Sequence, residues 1–73
     1  MAWHTLRYTV VATLHEQDRG DEAQWRVTLA PPDGGPRRVL HVAQPVGRAA
    51  PYAAGTPVEL DPRLVEAEAE GAS

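Results

Sequence analysis

Cysteine is absent from these 73 residues, which excludes disulfide bridges, thiolate zinc sites, iron–sulfur clusters and cysteine nucleophiles together. Lys, Ile, Phe and Asn are missing as well, and Ser occurs once, at Ser73. Nucleophilic chemistry would therefore have to come from Thr, Asp, Glu, Tyr or His. The missing types are mostly those with AT-rich codons, while Ala, Arg, Pro, Gly and Val are plentiful, so the composition points to a bacterial or phage genome of high GC content. All basic residues are Arg for that reason, which weakens any case that a given Arg was selected for its bidentate geometry. No apolar run approaches the roughly 18 residues of a membrane span. The start, Met1-Ala2-Trp3-His4, lacks a basic region followed by a hydrophobic one. The expectation is a soluble, unprocessed cytoplasmic protein with no membrane partner.

Net charge is close to zero in the body and builds up at the end. The net charge is −3. Residues 1–58 sum to +1, and residues 59–73, with Glu59, Asp61, Glu66, Glu68 and Glu70 against Arg63 alone, sum to −4. The strongly basic balance of a nucleic-acid-binding domain is missing, so any such reading must rest on a local patch. A chain this short allows one small domain with a thin core. Residues 1–65 are expected to form it, and 66–73 to be an acidic, disordered tail.

What is present reads as strands. From Trp3 to His15 the even positions, His4, Leu6, Tyr8, Val10, Ala12 and Leu14, carry the apolar face, and the odd positions are mostly Thr and Arg. This period of two predicts a half-buried antiparallel strand, long enough to bend or to serve two partners. A polar loop over 17–22 follows, then a second strand with Trp25, Val27 and Leu29 facing inward. Pro31-Pro32-Asp33-Gly34-Gly35-Pro36 predicts a tight turn, with Gly34 in the positive-φ position. Strand three, Arg37 to Ala43, places Val39, His41 and Ala43 on one face and Arg38, Leu40 and Val42 on the other, and neither is clearly polar. Residues 44–55 read as loop. Thr56 to Leu60 reads as a short strand that Pro57 confines to an edge. Asp61-Pro62 predicts a capped helical turn that docks through Leu64 and Val65.

The expected fold is all-β: a small antiparallel meander, or a partly open barrel of SH3-like or OB-like type, with four to five strands and a short C-terminal helical turn. An open sheet needs cover, and a homodimer supplies it.

The candidates for chemistry are thin. His4, His15 and His41 could form a metal set, but alternation points His4 and His15 to opposite faces, so no metal site and no cofactor are expected. His41 sits mid-strand, where an acid–base pair would require a carboxylate such as Glu16, Asp21 or Asp33, and nothing in the sequence fixes one. Gly34-Gly35 is followed by no helix and is a turn rather than a phosphate loop. Arg19-Gly20-Asp21 matches an adhesion tripeptide and reads as turn composition. The expected function is therefore a non-catalytic protein-interaction module, accessory, regulatory or inhibitory, that self-associates. Its partner would dock on Leu40, Val42, Arg38 and Trp3. The alternative is a small single-stranded nucleic-acid-binding barrel using an Arg/Thr/Trp face, with Arg7, Arg26, Arg37 and Arg38 on phosphates.

Overall fold

A computed structural model describes residues 4–67. Trp3 and residues 68–73, which include most of the expected acidic tail, lie outside the described residues. The described chain forms one five-stranded antiparallel sheet in the order β4-β1-β2-β3-β5, and the sheet does not close into a barrel. The elements are β1 (Leu6–Arg19), β2 (Glu22–Ala30), β3 (Arg38–Pro45), β4 (Pro57–Leu60), a 3-10 turn η1 (Pro62–Leu64) and β5 (Glu66–Ala67). No helix among the described residues is long and apolar enough to cross a membrane.

The central meander follows from β-branched residues at alternating positions, but β1 departs from strict alternation twice. Its register on β2 shifts between Val10 and Ala12 and again between His15 and Gln17. Val11 and Glu16 are thus extra residues, and each such bulge moves the following side chains to the other face. Leu6, Tyr8 and Val10 face the core, as the even-position rule expects. Past Val11 the inward positions are Thr13 and His15, opposite Val27 and Trp25. Ala12 and Leu14 point to the outer face, and Leu14 is 51% exposed. The expectation that Leu14 shares the core face is corrected by this bulge.

The polar loop expected over 17–22 is also shorter than the sequence suggests. Arg19 pairs directly with Glu22, so only Gly20 and Asp21 connect the strands. Gly20 has φ of 65°, which opens a two-residue hairpin that a side chain at that position would strain. The connection from β2 to β3 errs the other way, because the tight hairpin expected at Pro32-Asp33-Gly34 is one turn inside a longer loop over 31–37. Gly34 N donates to Pro31 O at 3.3 Å and has φ of 78°, and Gly35 N donates to the Asp33 carboxylate at 2.8 Å.

The core is a layer of Tyr8, Val10, Val27 and Leu29, none more than 2% exposed, with Leu6, Leu40, Val42, Tyr52, Val58, Leu60 and Val65 packed on it. Two connections lie over this layer. The loop over 46–56 brings in Tyr52, whose carbonyl accepts a hydrogen bond from Thr13 Oγ1 at 2.9 Å. The segment from β4 to β5 crosses from the edge of β1 to the edge of β3, turning through η1 between them. Asp61 caps η1 by accepting from Arg63 N at 2.9 Å, and Pro62 fills its first position. Val65 docks on the core, but Leu64 is 63% exposed, so the docking expected of both residues falls to Val65 alone. Glu66 and Ala67 pair with Val39 and Arg38, which carries the sheet two residues past the expected domain boundary.

Candidate interaction surface

β1 and β3 are each paired along only part of their outer edges. β4 covers β1 from Leu6 to Thr9, and two further bonds extend the cover to Val10, whose N donates to Thr56 O at 2.9 Å and whose O accepts from Gly55 N at 2.7 Å. β5 covers β3 only at Arg38 and Val39. Beyond those points Ala12–Arg19 on one side and Leu40–Pro45 on the other pair with β2 alone and have no second strand partner among the described residues. The hairpin end of the sheet therefore has two bare edges, each a row of backbone donors and acceptors able to pair with another chain.

The two edges differ in how they are protected. The β1 edge contains the Glu16 bulge together with Glu16, Asp18 and Arg19, and bulges and charges both discourage pairing. The β3 edge reads Leu40-His41-Val42-Ala43-Gln44, with no Asp, Glu or Arg and no bulge in its register on β2. Pro45, which lacks an N–H, ends it. Leu40 and Val42 stand on the core side, opposite Val27 and Trp25, and are half-buried against the core cluster. Of the residues expected to bind a partner, Leu40, Val42 and Arg38 thus share one strand and one side.

Two buried polar atoms lie near this edge without partners. Among the described residues Trp25 Nε1 and Gln44 Oε1 are covered and make no hydrogen bond. Trp25 is opposite Val42, and Gln44 is opposite Ala23, one step along the same side of the sheet. The Trp25 ring packs at a tilt on His15, with 5.0 Å between ring centroids. Leaving such a group unpaired costs about 1–3 kcal/mol, so this end of the core is stabilised less than the centre.

On the opposite face the Glu16 bulge makes a small charge cluster. Glu16 Oε2 lies 3.5 Å from Arg26 Nε, and Oε1 lies 3.7 Å from His41 Nδ1. Arg26 and His41 are direct cross-strand neighbours. The structure therefore supplies the carboxylate for His41 that the sequence left open. The group is largely solvated and beside only a small hollow of about 80 Å³, well below the roughly 300 Å³ of an ordinary ligand pocket. Such exposed pairs contribute about 0–1 kcal/mol.

The Arg residues considered for nucleic acid are distributed rather than gathered. Arg7 and Arg26 share the outer face, together with Thr9 and Thr28, but Arg7 meets Glu59 at 3.4 Å and Arg26 meets Glu16. Arg38 is on the other side, opposite Leu29, where it lines a cleft of about 190 Å³ with Leu6, Tyr8, Asp33 and Pro62. Arg37 is exposed in the preceding loop. No cluster of three or more His, Asp or Glu side chains placed to hold a metal occurs among the described residues.

Sequence reasoning misses Tyr52, which it absorbs into a loop, and the signal was a large aromatic isolated among Pro, Ala and Gly. Glu16 is among the carboxylates it offers for His41, but no sequence feature marks it as a bulge. At η1 the Arg63 side chain donates to the capping Asp61 carboxylate at 2.7 and 3.1 Å. These hydrogen bonds, with a further one from Arg63 N, hold the Asp61 carboxyl down at about 2.

No protein-family model matches the chain, and neither a curated protein nor a solved structure matches it significantly.

Proposed function

We propose that this chain is a non-catalytic interaction module that takes up an extended segment of another polypeptide along the free edge of β3. The observation that carries the reading is the contrast between the edges: Leu40–Gln44 has no Asp, Glu or Arg, no bulge and no strand on its outer edge among the described residues, whereas the β1 edge is charged and bulged. Main-chain hydrogen bonds from the edge would supply affinity, and Leu40 and Val42 would extend the apolar side onto the added strand. The shallow, solvated surroundings of the His41–Glu16 pair support a non-catalytic role, because acid–base catalysis works best where water is excluded.

Selection of displayed random octapeptides on the immobilised chain tests this, followed by mapping of the enriched peptides by amide chemical shifts. Peptides alternating in apolar residues that shift the amides of residues 40–44 are expected. Failure of the monomeric chain to enrich any peptide, or shifts confined to the β1 edge, refutes the proposal. The second reading, single-stranded nucleic acid on the outer face, draws on Arg7, Arg26, Thr9 and Thr28 sharing that face, and ranks lower because a Glu neutralises each of the two Arg. It requires oligonucleotide binding that weakens steeply as salt rises.

A further inference from the structure

We infer that the segment taken up by β3 is the β3 of a second copy, paired antiparallel about a two-fold axis at Val42. The inference rests on the docking reading above and names its partner.

The bare stretch between the last residue covered by β5 and Pro45 is Leu40–Gln44, and its midpoint is Val42. A two-fold axis perpendicular to a sheet keeps each side chain on its own face. The axis must therefore pass through a residue opposite its own copy, since a half-residue offset would set a core-side residue against an outward one. Centring on Val42 places Leu40 opposite Gln44 of the copy, Val42 opposite Val42, and His41 opposite Ala43. Every pair in that register joins two residues of the same side, and none joins two like charges. The same pairing centred on Glu16, Gln17 or Asp18 of β1 would set carboxylates opposite one another. At Glu16 it would set Glu16 against Glu16.

Three further features fit this occupant. β5 pairs with β3 only at Val39 and Arg38, so none of Leu40–Gln44 pairs with it. Pro45, at the other end, limits the pairing to the five bare residues. About four to six backbone hydrogen bonds form across such a junction, depending on which set of residues points outward. The core side would run on from one chain to the next, with Leu40, Val42 and the unpartnered Gln44 Oε1 at the seam.

The absence of cysteine provides a test without background. The unmodified chain is expected to sediment as a dimer at about 100 µM. Val42→Cys should form an intermolecular disulfide about tenfold or more faster than Leu14→Cys at ~10 µM, because the axis holds the two thiols together. Should Val42→Cys disturb the core, a mixture of Ala43→Cys and His41→Cys chains, both exposed positions, should cross-link faster than either chain alone. Ala43→Lys should shift the protein to monomer while its circular dichroism is unchanged. A monomer at about 100 µM, or faster cross-linking at Leu14 than at Val42, overturns the second copy. A monomer that still takes up displayed peptides at residues 40–44 overturns the second copy and leaves the docking reading standing; the peptide selection alone decides the latter.

Discussion

The bulge at Val11 makes an expectation that separates the observed sheet from an unbroken alternation. Under strict period two, Leu14 belongs to the core and Leu14→Thr would leave a cavity, at about 2–5 kcal/mol for a large-to-small core change. In the observed register Leu14 faces out beside Arg26 and is 51% exposed. Full burial of a Leu side chain stabilises by about 1.5–3 kcal/mol, so the half retained here is worth about 0.7–1.5 kcal/mol, and the strand preference of Thr offsets part of that. Val10, one step before the bulge, is 1% exposed. Val10→Ala removes two buried carbons at about 0.8 kcal/mol each and adds a cavity term, giving about 2–3 kcal/mol. Urea denaturation followed by tryptophan fluorescence measures both, the midpoint shift giving the difference while the slope stays constant. Leu14→Thr costing as much as Val10→Ala would refute the bulge and restore even-position alternation along all of β1.

Three further expectations concern the connections. Gly34→Val should destabilise by about 1 kcal/mol or more, since φ at Gly34 is 78° and a β-branched residue resists it; a thermal melt equal to that of the parent would count against the turn. Thr13→Val should cost about 0.5–1.5 kcal/mol by removing the bond to the Tyr52 carbonyl, and should speed amide exchange in the loop over 46–56. The Asp61 carboxyl is depressed from 3.8 to about 2 in the folded chain, so its stabilising contribution is present above about pH 3.8 and is lost as pH falls toward 2. Asp61→Asn should accordingly lose less stability between pH 5 and pH 2 than the parent in denaturant titrations at the two pH values.

The strands were readable because each rests on a local pattern of side chains. Trp25, Val27 and Leu29 alternate without interruption and sit on one face, Pro57 does mark an edge strand, and Asp61-Pro62 does open a capped turn. The errors fall where the backbone, not the side-chain pattern, decides. A bulge inserts a residue without changing composition, and with Val11 between Val10 and Ala12 an extra apolar residue is indistinguishable from a continuing strand. Turn length was misjudged in both directions for a related reason. Gln17-Asp18-Arg19 is polar enough to read as loop, yet those residues pair with β2, because a strand end that protrudes from the core has solvent on both sides.

The site was legible in part, and the part that was hidden is informative. That strand three has two nonpolar faces is visible in Arg38 to Ala43, and the structure divides them: Leu40 and Val42 join the core, while Val39 is covered on the far side where β5 begins. What the sequence could not show is where β4 and β5 stop, since that depends on how far the segment after Gly55 reaches from one edge of the sheet to the other. It reaches β1 as far as Val10 and β3 as far as Val39, and the residues left bare on each side have opposite characters. On β1 they are Glu16, Asp18 and Arg19 around a bulge, a combination that resists pairing. On β3 they are five residues without Asp, Glu or Arg, in regular register. Edge protection is ordinarily applied to both sides of a sheet, and the asymmetry between these two edges is the ground on which β3 is proposed to take up a strand.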